Sequence, residues 1–149
     1  MNNNIITLSH KIQQFFHRYY RLFSSHNIAE VANCYAFPCV LSTPEQFLLI
    51  TKQDEFNTEF TRIFLQLQQA SIVEFKATKA SYMVMSDQLF LVCIDWQFID
   101  QQQQVFSHFS AFYHLQYLAD QLTIVQVNSQ ILENSLTLNH LLAIEKIND

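Results

Sequence analysis

Apolar residues recur at three- and four-residue intervals near the amino terminus. Ile12, Phe15, Phe16, Tyr19, Leu22 and Phe23 form one stripe, which predicts an amphipathic helix with Ser9 as its N-cap. Asn27 followed by Glu30 has capping-box spacing and opens a second, short helix with Ile28, Val31 and Tyr35 inward. That helix must stop before Pro38, because a proline pushes the residue preceding it out of the helical region. The two helices meet at a tight turn around Ser25-His26. Cys39-Val40-Leu41 and Phe47-Leu48-Leu49-Ile50 flank Thr43-Pro44-Glu45, the pattern of a small strand pair across a turn. Thr51 with Asp54 predicts the cap of a third helix, whose stripe is Phe56, Phe60, Ile63, Phe64 and Leu67.

From Ser71 to Gln130 the period changes to two and the residues become rich in Val, Ile, Phe, Tyr and Thr. Polar breaks at Ser86-Asp87, at Asp100 to Gln104 and at Ala119-Asp120-Gln121 divide this region into four strands joined by hairpin turns. An antiparallel meander is the simplest connection. In the tail, Leu138, Leu141, Leu142 and Ile144 have roughly helical spacing, with Ile147 less clearly on the same side. This predicts a C-terminal helix within residues 131–149, packed on the domain or on a partner subunit.

Composition narrows the picture. At 149 residues, half of them hydrophobic, the chain can bury one substantial core but does not divide comfortably into two domains. The net charge is −5 and no Lys/Arg cluster occurs, so a nucleic-acid partner is not expected: phosphate binding is driven by charge neutralisation and counterion release. No apolar run reaches the length of a membrane span, and Met1-Asn2-Asn3-Asn4 does not open a secretion signal. Cys34, Cys39 and Cys93 are odd in number and lack Cys-x-x-Cys spacing. They read as reduced thiols, and the expected location is cytoplasmic. The chain contains no glycine, so phosphate-binding loops, dinucleotide fingerprints and nucleophile elbows are absent in their standard forms.

The order helix, short helix, small strand pair, third helix and long antiparallel sheet resembles the nuclear transport factor 2-like superfamily over about residues 9 to 130. The local pieces that carry the resemblance are Phe23-Ser24-Ser25-His26-Asn27-Ile28, Cys34-Tyr35-Ala36-Phe37-Pro38 and Phe109-Ser110-Ala111-Phe112-Tyr113-His114-Leu115. The resemblance implies an α+β fold in which three N-terminal helices pack in a strongly curved, mainly antiparallel sheet forming a cone. Its mouth would be a ligand pocket and its outer face a dimer surface. The expected organisation is a domain over residues 1–130 with a C-terminal extension over 131–149.

The superfamily holds isomerases, dehydratases, polyketide cyclases and transport factors, so fold alone does not choose an activity. Resemblance to the steroid-isomerase branch places Tyr19 at the position of an oxyanion-stabilising tyrosine. The general base of that branch sits on the first strand after helix two, and Phe37 through Thr43 contains no Asp or Glu, so the carry-over fails there. The catalytic candidates that remain are Tyr19, His108 and Asp95, each weighed against an ordinary structural role. Strand alternation sends Asp95 and Trp96 to opposite faces: if the face carrying Phe90, Val92, Ile94, Trp96 and Phe98 points inward, Trp96 is core or pocket wall and Asp95 lies outward beside Gln97. His108 and His114 lie roughly 20 Å apart at about 3.3 Å per strand residue. The other four histidines lack ligand spacing, so no metal is expected.

The residues expected to line a pocket are Phe16, Tyr19, Tyr35, Phe60, Trp96 and Tyr113, a lining suited to an apolar or aromatic small molecule. Three readings follow. The first is a binding protein without cofactor, homodimeric through the outer sheet face, where Leu91, Cys93 and Phe106 or Phe109 fall outside a single core. The second is a lyase or isomerase using Tyr19, Tyr35, His108 or Asp95 for acid–base chemistry. The third is a protein-interaction module acting through the outer face or the tail.

Overall fold

The structure, a computed structural model, describes residues 2–144. Helix α1 (Asn2–Ser24) is followed by α2 (Ile28–Ala32), β1 (Tyr35–Ser42), β2 (Phe47–Ile50), α3 (Gln53–Gln69), β3 (Ile72–Ser86), β4 (Leu89–Asp100), β5 (Val105–Leu118), β6 (Gln121–Ile131), a 3-10 turn (Leu132–Asn134) and β7 (His140–Leu141). The strands form one sheet in the order β2-β1-β6-β5-β4-β3-β7. The meander β3 to β6 is antiparallel as the polar breaks predict, and the small pair joins it through a parallel β1–β6 contact. The sheet is curved and unclosed. Its ladders are interrupted by register shifts, three of them between β3 and β4, and such bulges bend a strand and increase its twist.

The helices sit against the inner face. Ile12, Phe16, Tyr19 and Tyr20 of α1 and Phe56, Phe60, Phe64 and Leu67 of α3 are buried against Phe75, Phe90, Val92, Ile94, Trp96, Tyr113 and Leu115. The two apolar stripes of the sequence therefore face one sheet surface, and burial of these side chains supplies the main drive to fold. The turn between α1 and α2 is held by His26, which takes a positive φ of 59° and stacks on Phe64 with ring centroids 4.7 Å apart.

Three caps differ from expectation or refine it. Asn27 does cap α2, its side chain accepting from the Glu30 N–H at 3.1 Å. Ser9 is not an N-cap. Helical backbone continues back to Asn2, and the Ser9 hydroxyl instead bonds the Tyr82 hydroxyl at 2.7 Å. At α3 the partner of Thr51 is Glu55, whose carboxylate accepts both the Thr51 N–H and its hydroxyl, while Lys52 occupies the N-cap position. Tyr35 belongs to β1 rather than α2, because the short helix ends at Ala32, but it still points inward.

The predicted C-terminal helix is absent from residues 135–144. After the 3-10 turn the tail runs extended across the outer face and adds β7 to the open edge of β3, pairing Ser81 with Leu141 and Tyr82 with His140. Burial alternates: Leu141 is exposed, Leu142 buried, Ala143 exposed and Ile144 buried. The free backbone donors and acceptors of an edge strand provide partners that an uncapped short helix would have to find elsewhere. Ala143 N–H then donates to the Gln13 side chain of α1, closing the tail onto the domain. Ile147 lies outside the described residues.

Candidate functional site

The helices do not fill the hollow of the sheet. Between α1, α3, the β1–β2 turn and the inner face lies a cavity of about 240 Å³. Its wall is mainly carbon. Tyr19, Tyr20 and Phe23 come from α1, Phe60 and Ile63 from α3, and Phe75, Trp96, Phe98, Phe109, Ala111 and Tyr113 from β3, β4 and β5. Leu41 and Leu48 of the small strand pair and Val127 of β6 complete it. The exposed lining residues Thr43, Gln46 and Arg62 mark the mouth, and the buried Tyr19, Tyr35, Trp96 and Tyr113 mark the blind end.

Strand alternation puts Trp96 on the inner face, where it stacks on Tyr20 and donates its indole N–H to the Tyr113 hydroxyl at 2.9 Å. The Tyr19 and Tyr35 hydroxyls bond each other at 2.8 Å. Burial pushes all three phenols above their ordinary pKa, so they are protonated at neutral pH.

Five of the six residues expected to line the pocket, Tyr19, Tyr35, Phe60, Trp96 and Tyr113, are on this wall. Phe16 is not. It lies one turn earlier on α1, fully buried behind Tyr113 with ring centroids 4.9 Å apart.

The three catalytic candidates are not brought together. Tyr19 is at the blind end, whereas Asp95 and His108 are on the outer face, because each pairs across the ladder with a residue of the same outward parity: Asp95 with Ser110 and Gln97 with His108. His108 is exposed beside the β1–β2 turn. Asp95 is buried, but by the tail. The Ser135 hydroxyl reaches both of its carboxylate oxygens at 2.7 and 2.9 Å, and Lys79 Nζ stands 3.8 Å away. Among the described residues no group of His, Cys, Asp and Glu could hold a metal.

Sequence reasoning missed the charged pair at the mouth. Glu59 and Arg62 both line the cavity, and Arg62 donates to the two Glu59 carboxylate oxygens through Nε and Nη2. Their signal was the i, i+3 spacing around the inward Phe60 and Ile63. Phe109 was one of two alternatives for the outer face. It lies on the cavity wall, while Phe106 is exposed.

Helices seated in the hollow of a curved, mainly antiparallel sheet, with a cavity between them, define the cone-shaped α+β class. The chain belongs to the family described as NTF2-like protein (DUF6841), whose profile matches residues 9–130. No curated protein matches it in sequence. Among solved structures it is similar to an NTF2-like protein with a cystatin-like fold from Novosphingobium aromaticivorans (TM-score 0.69, 8% identity, 90% of this chain and 88% of that one). It is also similar to an NTF2-like protein of unknown function from Pseudomonas putida KT2440 (TM-score 0.69, 12% identity, 89% and 94%). A third similar structure is a ketosteroid isomerase-like protein from Erwinia carotovora atroseptica (TM-score 0.61, 14% identity, 80% and 92%). At these identities the likeness establishes the fold alone.

Proposed function

We propose that this chain is a small-molecule-binding domain that holds an apolar, mainly aromatic ligand in the cavity between the helices and the sheet. The observation that carries this reading is the cavity itself: about 240 Å³ of mostly carbon-lined space with hydroxyls at its blind end. An apolar hole of roughly 150 Å³ already takes up benzene, so this one admits an occupant about one ring larger. Binding is favoured over turnover because the blind end carries neutral phenols, and the carboxylate of Glu59 is engaged by Arg62.

The test is a thermal-shift screen with mono- and bicyclic aromatic compounds on the wild type and on Ala111→Leu. Ala111 is a buried wall residue, and the larger side chain would occupy ligand space. Stabilisation of the wild type but not of a folded Ala111→Leu variant is expected. A screen with no stabilisation of the wild type, or with equal stabilisation of both, counts against the reading.

The same reading includes a homodimer through the part of the outer face that the tail leaves open. There the edge strand β2 exposes Phe47 at 72% and Leu49 at 55%, a pair of large apolar side chains next to Val40 of β1. Sedimentation at micromolar concentration should give a dimer, and Phe47→Glu with Leu49→Lys should shift it to monomer. A wild type that sediments as monomer refutes this.

A further inference from the structure

The hydrogen-bonding capacity of the blind end can be counted. A phenol carries one O–H donor plus lone pairs that accept. The Tyr113 oxygen accepts the Trp96 indole N–H at 2.9 Å, and no acceptor for its own proton occurs among the described residues. The Tyr19–Tyr35 bond uses one of the two protons that this pair carries. Two O–H donors are thus left over where the wall is otherwise carbon.

No formal charge accompanies them. The charged lining residues, Glu59 and Arg62, belong to α3, and they satisfy each other. Burial holds the phenols in the protonated, donating form. An occupant that reaches the blind end must therefore supply acceptors, because a buried donor without a partner is destabilising. It must do so without negative charge, since a carboxylate there would lose its hydration with no cation to replace it.

We propose that the cavity selects a neutral aromatic carbonyl compound whose oxygen accepts a hydrogen bond from Tyr113, with Trp96 as the positioning residue. This rests on the ligand-binding reading above and narrows it to a chemical class. Trp96 acts by occupying a lone pair of the Tyr113 oxygen, so that the phenol proton turns away from the indole. It also forms wall against Tyr20, with ring centroids 6.3 Å apart.

The experiment compares three probes of one shape by calorimetric titration of the full chain: 2-acetylnaphthalene, 2-isopropenylnaphthalene, in which a methylene replaces the carbonyl oxygen, and 2-naphthoate. The ketone should bind about three- to tenfold more tightly than the alkene, the worth of one net hydrogen bond. Naphthoate should bind most weakly. A ketone labelled with carbon-13 at the carbonyl should resonate further downfield when bound to the wild type than when bound to Tyr113→Phe. In Tyr113→Phe the ketone and alkene should bind equally. Trp96→Phe keeps the phenol and should narrow the ketone preference while binding persists, which provides a readout if Tyr113→Phe does not fold.

Equal affinity for ketone and alkene in the wild type, or tightest binding of naphthoate, overturns the carbonyl proposal and leaves the cavity reading standing. Failure of all three to bind overturns both. Full ketone preference and full carbon shift in Trp96→Phe overturn the positioning role.

Discussion

His26, Ser71, Gln103, Ala119 and Asp120 hold positive φ, between 51° and 64°, in a chain that has no glycine to offer. A side chain in this region is strained against the following carbonyl by about 1–2 kcal/mol. Ala119 and Asp120 are the two loop residues of the β5–β6 hairpin, where both positions need positive φ and Asn-Gly is the preferred pair. Replacing Ala119 by Gly should stabilise the protein by about 1 kcal/mol, relief of strain outweighing the added freedom of the unfolded chain. Denaturant unfolding checks this, and a lowered midpoint would show the assignment of strain to be wrong.

Histidine supplies a second residue-scale prediction. Burial lowers the pKa of His26 and of His114 from the ordinary 6.5, and the His26 Nδ1 also accepts a bond from the Gln68 amide. Folding favours the neutral rings, so their contribution is complete above the unfolded value and is lost as pH falls through 6.5 and then through the folded pKa. Melting temperature should drop between pH 7.5 and 5.5, and a His26→Asn, His114→Gln double variant should flatten that drop. NMR midpoints of both rings at or above 6.5 would contradict it.

Among the elements, the tail departs most from its sequence pattern. Leu138, Leu141, Leu142 and Ile144 fit a helical period, yet over Leu141 to Ile144 the actual burial has period two. Short apolar runs satisfy both templates, and the choice was made by the open edge of β3, a feature no local window contains. The same tail explains the burial of β4 on both faces from Val92 to Trp96. The outward residues Cys93 and Asp95 lie beneath or beside a strap pinned by Ser135 on Asp95 and by the Leu138 N–H on the Ser81 hydroxyl. Ser135→Ala should destabilise the fold by about 1–3 kcal/mol, because the hydroxyl donates to a carboxylate whose other side-chain partner among the described residues is Lys79 at 3.8 Å. An unchanged unfolding free energy would mean that water replaces the hydroxyl and that the strap is loose there.

At the scale of the molecule, the cavity exists because three helices meet a bent sheet along part of its inner face. α1 and α3 reach the sheet with aromatic stripes, and wherever rings of this size converge from two layers, their packing leaves either a closed core or a hollow. Phe16, Phe56, Tyr82 and Leu115 are in fully buried positions, while Tyr19, Trp96 and Tyr113 border the hollow. Nothing in the one-dimensional pattern separates these two groups. Phe16 and Tyr19 share one helical stripe, and the curvature of the sheet decides which of them meets empty space.

By itself the sequence determined the element order up to β6, the buried stripes of α1 and α3 and the aromatic character of whatever the elements enclose. Those features depend on local periodicity, capping and breaks, which are written within a few residues of where they act. The tertiary structure decided the course of the tail, the burial of Asp95 away from Tyr19 and the pairing of Glu59 with Arg62 beside the mouth. It also decided the Trp96–Tyr113 contact. These depend on which surfaces remain open after the sheet has bent, a property of the assembled layers and not of any segment.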